Sequence, residues 1–198
     1  MYCVGIDTGN KGGIAIKSEK YFNVYSTIAS DWNSLLHLIA AKVGDSPVLI
    51  FIEYGFFGQN SKTLAHQHEL YGYIKGIIEV LFEQQIAKQG QVIYTFSPKV
   101  WHDYLGIEKD KSIKNHKPSI NYITQKYSHY ADEVKKELKN VQGRVDNIRE
   151  ENKRLRKEGF YDDVINIERP SSVSKLDGVF DAICILLTGL KWLEKQST

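Results

Sequence analysis

The sequence is poor in cysteine, in net charge and in long apolar runs, and each shortage excludes a class of protein. Two cysteines among 198 residues cannot form the disulfide framework of a small secreted domain. The formal net charge is only +2, which is too small to indicate a nucleic-acid-binding protein. A phosphate-binding surface would therefore have to come from local clusters of basic residues. No apolar run reaches the ~18 residues of a membrane span, and the first residues do not show the basic segment followed by an apolar stretch that is typical of a secretory leader.

These shortages predict a soluble intracellular protein with no membrane partner, in the cytoplasm or in an organelle. Both cysteines, Cys3 and Cys184, lie among apolar residues, which fits a reducing compartment. The chain length and a hydrophobic fraction of 42% suit one domain over residues 1–198 with a substantial core.

Apolar runs separated by glycine-rich or polar turns predict an α/β arrangement. The first three runs form an antiparallel meander, and the fourth, five apolar residues before Glu53, indicates a strand buried on both faces. The predicted strands cover about 2–7, 12–18, 21–28, 48–53 and 92–96. One predicted helix begins after a cap at Ser30 or Asp31 and ends at Gly44, and another runs from Ser61 to Gly90.

Four carboxylates lie at the ends of these predicted elements. Asp7 ends the first strand and Glu53 ends the fourth, whereas Asp177 and Asp181 open the last helix on one face, one turn apart. Hard Mg²⁺ prefers oxygen ligands, and four acids in one crevice would repel each other strongly without cations. The pattern therefore predicts a site for two divalent metal ions. In the plainer interpretation, Asp177 caps its helix and Asp7 orders the glycine-rich turn.

A helical pattern over about 118–158 carries an apolar seam with alternating spacings of four and three. Its members are Val134, Leu138, Val141, Val145, Ile148, Asn152 and Leu155. Such a seam is typical of a coiled coil and favours a homodimer, with Asn152 fixing the register. A helix of this length would reach on the order of 60 Å at ~1.5 Å per residue, so the alternative is that it packs within its own chain.

Several short motifs together resemble the RuvC-like Holliday junction resolvases of the ribonuclease H-like superfamily, and especially the compact phage and organellar members. The motifs are Gly5-Ile6-Asp7-Thr8-Gly9, Ile52-Glu53 with Phe56-Phe57-Gly58-Gln59-Asn60, Leu70-Tyr71-Gly72, Ser97-Pro98-Lys99-Val100-Trp101 and Asp177-Gly178-Val179-Phe180-Asp181-Ala182. Each motif alone is weak, but their order and separation are more specific. One departure is Gly178, which stands where bacterial members carry an acid or a histidine.

The resemblance implies a mixed five-stranded sheet in the order 3-2-1-4-5, with strand 2 antiparallel and a helical or coiled-coil insertion over about 118–158. It implies a crossover junction endodeoxyribonuclease that makes paired symmetric nicks in four-way DNA. The four acids would hold two Mg²⁺ ions, for which Mn²⁺ can substitute. The two-metal mechanism would leave 5′-phosphate and 3′-hydroxyl ends.

The resemblance and local charge also predict contacts with DNA. Lys111 would stabilise the scissile phosphate, while Phe56 or Phe57 would stack on bases at the junction centre. The backbone contacts would come from Lys109, Lys114 and Lys117. A second basic group at 153–157 lies among acids and has an equally good interpretation as a salt-bridged helix face. His66 and His68 point to different helical faces and do not indicate a zinc site.

Three alternatives to a junction resolvase differ in chemistry. A nuclease of the same fold could act on forks, flaps or RNA–DNA hybrids, and the acids alone do not separate these substrates. A non-catalytic DNA-binding scaffold would keep the acids without hydrolysis. An actin-like phosphotransferase also ends its first strand in an Asp-x-Gly turn, but that fold normally needs two such domains and this chain is too short.

Overall fold

The computed structural model describes residues 1–54, 61–107 and 117–196, without the side chains of 61–64. The strands are β1 (Tyr2–Asp7), β2 (Gly13–Lys17), β3 (Phe22–Ser26), β4 (Val48–Glu53) and β5 (Ile93–Phe96). The helices are α1 (Trp32–Val43), α2 (Ser61–Leu81), α3 (Glu83–Gln89), α4 (Pro98–Leu105), α5 (Pro118–Lys126), α6 (Ser128–Glu158) and α7 (Asp177–Gln196), with a 3₁₀ turn over Val173–Lys175. In the described part of the chain, no helix is both long and apolar enough to cross a membrane.

The five strands form one mixed sheet in the order β3-β2-β1-β4-β5. β2 is antiparallel to both β1 and β3, whereas β4 runs parallel to β1 and to β5. The sheet confirms the fold class, the strand order and the antiparallel second strand that were predicted. β1 and β4 lie side by side, so their carboxyl ends meet at one edge of the sheet.

Alternation along the strands divides the core into two layers. Cys3 and Phe51 belong to the layer under α7, and Val4 and Ile50 belong to the layer under α1 and α2. α7 lies so close to β1 that a Cβ atom at Gly5 would collide with the backbone of α7. The sheet is thus covered on both faces, which explains why β1 and β4 are almost continuously apolar.

The helix predicted from Ser61 to Gly90 is interrupted, and that prediction is wrong in its extent. Phe82 leaves helical geometry (φ −113°, ψ 21°) between α2 and α3 and is 1% exposed in the core. Beyond the break, the Gln85 side chain donates to the carbonyl oxygen of Gly44 at 2.6 Å. Helical periodicity continues across Phe82 in the sequence, so the pattern alone did not reveal the break.

The helix predicted over 118–158 is likewise two helices, α5 and α6, separated at Tyr127. Seam residues Val134, Val141 and Val145 are fully buried within the single chain. These valines are core residues rather than coiled-coil contacts, so the intramolecular alternative is what the structure shows. The homodimer stays a prediction, but these three buried valines would not be part of its interface.

Candidate active site

The two strand-end acids lie on the same face of the sheet. Ile6 pairs with Ile52 in the parallel register of β1 and β4, so Asp7 and Glu53 follow at neighbouring positions. Asp7 is four residues after Cys3, and Glu53 is two residues after Phe51, and both Cys3 and Phe51 face α7. Side chains an even number of residues apart in a strand share a face, so both acids point toward that helix. Asp177 and Asp181 lie in the first turns of α7. The strand acids and the helix acids therefore lie on the same side of the sheet, while their role as a metal site stays a prediction.

A close backbone contact sets the distance between the glycine-rich turn and α7. Gly12 forms an isolated parallel bridge with Gly178. A Cβ atom at Gly178 would collide with the carbonyl oxygen of Lys11 and lie 2.7 Å from Oδ2 of Asp7. Gly178 is therefore required for this approach, which gives a physical reason for the residue that departs from the bacterial pattern.

Asp7 is a buried carboxylate, 8% exposed, with acidic neighbours. Burial raises its pKa well above the usual value, and the charges of Glu53, Asp181 and Asp177 raise it further. The Gly9 amide opposes this shift by donating to Oδ1 of Asp7 at 3.0 Å. Asp7 thus both orders the glycine-rich turn and interacts electrostatically with the other three acids.

Glu53 is held by a buried tryptophan. The indole N–H of Trp101 donates to Oε2 of Glu53 at 2.7 Å, and Trp101 is 3% exposed. Trp101 lies on α4, a helix that Ser97 caps and Pro98 begins. The sequence analysis identified Trp101 only as a motif residue. The capped Ser-Pro start, which places Trp101 and Leu105 on one buried face, was the available signal.

Asp177 is paired with Lys117. The ammonium nitrogen of Lys117 lies 2.9 Å from Oδ2 of Asp177 and donates to the carbonyl oxygen of Ser174 at 2.6 Å. Lys117 was predicted to contact the DNA backbone, which stays a prediction, and its charge lies beside Asp177. A crevice of about 270 Å³ is lined by Glu53, Trp101, His102, Lys117, Asp177 and Asp181, with Pro98, Pro118 and Ser119.

The acids fit a hard divalent cation in chemistry but not in their present positions. Carboxylate oxygens are the donors that Mg²⁺ prefers. Within residues 1–54, 61–107 and 117–196, however, no group of three His, Cys, Asp or Glu side chains is close enough to hold a metal ion. Glu53 accepts a hydrogen bond from Trp101, and Asp177 forms a salt bridge with Lys117. Glu53, Asp177 and Asp181 line the crevice, and the buried Asp7 interacts electrostatically with all three, but these described acids do not converge on one point.

The remaining predicted residues divide into two groups. Phe56, Phe57, Lys109, Lys111 and Lys114 lie outside the described residues. In the second basic group, Lys153 and Arg154 pair with Glu150 and Glu151, as the salt-bridge interpretation expected. His66 contacts Asn10 and His68 contacts Tyr54, so the two histidines have separate partners.

The fold and the site together define an α/β protein with a mixed five-stranded sheet in the order β3-β2-β1-β4-β5 and an acidic crevice near the carboxyl end of β4. No protein-family model and no curated protein matches the sequence. A solved structure of Thermus thermophilus RuvC in complex with Holliday junction substrate is similar to 98% of this chain and 96% of its own, with a TM-score of 0.43 and 17% identity. A second Thermus thermophilus RuvC structure has a TM-score of 0.41 and 15% identity, covering 99% and 97% of the two chains. A likeness this distant assigns no activity to this chain.

Proposed function

We propose that this protein is a divalent-metal-dependent endodeoxyribonuclease that resolves four-way DNA junctions by paired symmetric nicks. The single observation that carries the proposal is the buried Asp7, whose pKa is raised by burial and further by the charges of Glu53, Asp181 and Asp177. A buried carboxylate is costly without a partner, so three acidic neighbours around it indicate a site for cations. The sequence motifs around these acids favour the resolvase substrate among nucleic acids.

Asp7, Glu53, Asp177 and Asp181 would hold Mg²⁺, or Mn²⁺ in its place. When bound, two such ions would lower the pKa of the attacking water and stabilise the leaving oxygen of the phosphodiester. The protein's own groups prepare the crevice: Trp101 fixes one oxygen of Glu53, and Lys117 offsets the charge of Asp177. Side-chain rotation, including release of Asp177 from Lys117, would bring the carboxylates together.

A second candidate is a non-catalytic DNA-binding scaffold. The observation that favours it is that, among the described residues, no three acidic side chains lie close enough together to hold one metal ion. In such a protein, Lys117 would permanently neutralise Asp177, and Asp7 would serve only to order the turn at Gly9. The two candidates differ in one measurable property, since only the nuclease cleaves DNA when metal is added.

The test incubates purified protein with labelled four-way junction, duplex, fork, flap and RNA–DNA hybrid substrates, with Mg²⁺, with Mn²⁺ and with chelator. Paired symmetric nicks in the junction alone, dependent on metal, are the expected result. Asp7→Asn or Glu53→Gln should remove cleavage and leave junction binding intact. Asp45→Asn is the matched control, because Asp45 is an exposed acid that precedes the amino end of β4, at the opposite end of the strand from Glu53.

Three outcomes separate the alternatives. Cleavage of forks, flaps or hybrids in preference to junctions would replace the resolvase by another nuclease of this fold. Junction binding without cleavage in either metal would favour the scaffold. Turnover retained by both Asp7→Asn and Glu53→Gln would remove these acids from the mechanism. Light scattering of the same preparations measures whether the active species is the proposed homodimer.

A further inference from the structure

Two charged side chains of α6 bind the outer edge of β3. Ser26 ends β3, which is the edge strand on that side of the sheet. The next residue, Thr27, directs its amide to Gly12, and backbone groups alternate in direction along a strand, so the amide and carbonyl of Ser26 point away from β2. Glu137 accepts from the Ser26 amide at 2.9 Å, and Arg144 donates to the Ser26 carbonyl oxygen at 3.4 Å. The two side chains thus satisfy backbone groups that a further strand would otherwise pair with.

Glu137 and Arg144 also pair with each other, and we call them the α6 ion pair. Nη2 of Arg144 lies 2.8 Å from Oε1 of Glu137, and Glu137 is only 3% exposed. The same guanidinium nitrogen donates to the carbonyl oxygen of Ile28 at 3.4 Å. Asn140 donates to Oε2 of Glu137 at 3.2 Å. The α6 ion pair therefore contacts the backbone on both sides of Thr27.

The α6 ion pair interrupts a face that is otherwise apolar. Glu137 is three residues after Val134 and four before Val141, so it lies on the same helical face as these fully buried valines. Ion pairs in such positions are often no more stable than apolar residues of similar volume, because both charges lose water. In addition, Nε of Arg144 is buried with no hydrogen-bond partner among the described residues. Net stability is therefore a poor explanation for the pair, whereas its contacts fix the position of the strand end.

The strand end is attached in turn to the glycine-rich turn. The amide and the hydroxyl of Thr27 both donate to the carbonyl oxygen of Gly12, at 3.2 and 3.1 Å. Gly12 forms the bridge to Gly178 at the start of α7, and its amide donates to the carbonyl oxygen of Gly9 at 2.8 Å. The Gly9 amide donates to Asp7. A continuous series of contacts thus leads from α6 to Asp7 and to the start of α7.

We propose that Glu137 and Arg144 are positioning residues for the acidic crevice, acting through Thr27 on the turn that follows Asp7. This inference rests on the proposed function and adds to it a role for α6, which fixes the turn relative to α7. The turn is tightly packed, since a Cβ atom at Gly12 would collide with the carbonyl oxygen of Asp7. A displaced turn would therefore displace Asp7. Mg²⁺ requires nearly ideal octahedral geometry, so a small displacement of one ligand weakens metal binding.

The test weakens this series of contacts at two points, in the full chain. Thr27→Val removes the hydroxyl donor to Gly12 and keeps the branched shape of the side chain. Thr124→Val is its matched control, because the Thr124 hydroxyl donates to carbonyl oxygens of its own helix, α5.

The second point is the α6 ion pair. Glu137→Gln keeps an oxygen that can accept from the Ser26 amide but leaves the charge of Arg144 unpaired. Glu133→Gln is its control, because Glu133 pairs with Lys136 on the same helix. The double variant Glu137→Gln with Arg144→Met removes the unpaired charge as well, so it separates loss of stability from loss of position.

Two properties of each variant are measured. Hydrogen exchange of residues 8–13, followed by mass spectrometry in chelator and without DNA, reports opening of the turn. Cleavage of four-way junction DNA well below the Tm gives kcat, KM and the Mg²⁺ concentration at half-maximal rate. Loss of one hydrogen bond corresponds to about 2- to 10-fold, so Thr27→Val should exchange faster in the turn and lose kcat by about that factor.

Glu137→Gln should show larger changes of the same kind, since it leaves a charge without its partner. In both variants KM should stay unchanged and the Mg²⁺ requirement should rise, because the altered groups act on the crevice and not on DNA. Thr124→Val and Glu133→Gln should behave as the wild type does. In the double variant the Tm should recover while kcat stays low, a combination that a merely structural role does not give.

Three results would overturn the proposal. Wild-type kcat and Mg²⁺ requirement in Thr27→Val and Glu137→Gln would reject the positioning role, whatever their exchange rates. A kcat that recovers together with the Tm in the double variant would reduce the α6 ion pair to a structural contact. A wild-type protein that cleaves no DNA would remove the proposed function and the positioning role with it, whereas the exchange rates would still show whether α6 holds the turn. Thr27→Val decides the matter if Glu137→Gln does not fold.

Discussion

The indole nitrogen of Trp101 lies 2.7 Å from Oε2 of Glu53, with the tryptophan almost completely buried. An indole N–H has one proton to donate and no acceptor role, so this contact fixes one carboxylate oxygen of Glu53. Hydrogen bonds to charged acceptors are short and strong. Trp101 is therefore a positioning residue for Glu53.

The first prediction concerns this contact. Trp101→Phe keeps most of the buried ring but removes the donor, so Glu53 loses its orientation. Loss of a hydrogen bond to a charged group costs about 1.5–3 kcal/mol, which corresponds to a decrease in kcat of roughly 10- to 150-fold. We expect kcat to fall with little change in KM for junction DNA, and the Mg²⁺ concentration at half-maximal rate to rise.

Trp192→Phe is the matched control, because Trp192 packs against Tyr94 and Phe96 away from the crevice. The same chemical change there should leave kcat and the Mg²⁺ requirement unaltered. A Trp101→Phe enzyme with wild-type kcat and metal requirement would show that the indole contact has no part in positioning Glu53.

The second prediction follows from the pair of Lys117 and Asp177. If metal and lysine compete for the same carboxylate, Lys117→Met should bind Mn²⁺ more tightly in the absence of DNA. The pair is partly exposed, 36% and 43%, and such pairs contribute ~0.2–1 kcal/mol, so the gain should be at most about fivefold. Cleavage should nevertheless fall, since a positive charge near the phosphate is lost.

Isothermal titration calorimetry with Mn²⁺ measures the affinity, and Lys88→Met, at the end of α3, is the control. Weaker Mn²⁺ binding by Lys117→Met would mean that the lysine supports Asp177 as a ligand instead of competing for it. Tighter binding together with faster cleavage would identify Lys117 as an inhibitory contact.

The third prediction uses the raised pKa of Asp7. Because folded Asp7 keeps its proton to higher pH than unfolded Asp7, the folded state binds more protons, and stability falls as pH rises from the unfolded value through the folded pKa. Asp7→Asn removes the buried charge and retains an oxygen that can accept from Gly9. Its Tm in chelator should exceed that of the wild type at neutral pH, and the difference should vanish in acid.

Thermal melts between pH 4 and 8 give this comparison, with Asp45→Asn as a surface control. Added Mg²⁺ should raise the Tm of the wild type and leave that of Asp7→Asn unchanged, since ligands stabilise only the state that binds them. A lower Tm for Asp7→Asn at neutral pH would show that the carboxylate is favourably held without metal.

The sequence alone predicted structural features correctly where a local pattern of neighbouring residues determines them. The strand ends at Asp7 and Glu53 are marked by apolar runs that stop at a charge, and both acids lie where this pattern predicted. The cap, predicted at Ser30 or Asp31, is Asp31, whose side chain accepts from the Ser34 amide at 2.8 Å, and the predicted end of the helix at Gly44 is confirmed. Local chemistry determines these features, so they can be recovered from neighbouring residues.

The sequence alone did not predict features that depend on contacts between residues far apart in the chain. The helix breaks at Phe82 and Tyr127 interrupt unbroken helical patterns, because core packing overrides local propensity. The bond from Trp101 to Glu53 joins residues 48 positions apart, and neither residue alone indicates it. The seam of α6 was ambiguous for the same reason, since periodicity shows that a face is buried and not which partner buries it.

The last prediction tests that partner. Asn152 is 7% exposed, and its side chain forms two hydrogen bonds with the backbone of Ile165, donating to the carbonyl oxygen at 2.6 Å and accepting from the amide at 2.9 Å. The Ile165 side chain is 58% exposed, so little apolar packing holds this residue. Asn152→Ala should therefore release it locally without unfolding the sheet.

Leaving these groups unpaired costs about 1–3 kcal/mol, so the Ile165 amide should exchange with solvent about 5- to 150-fold faster. Hydrogen exchange read by mass spectrometry measures this rate, and Asn147→Ala, an exposed asparagine on the same helix, is the control. The oligomeric mass by light scattering should be unchanged. A changed mass with unchanged exchange at Ile165 would instead assign Asn152 to a contact between two chains, and the coiled-coil interpretation would return for the outer half of α6.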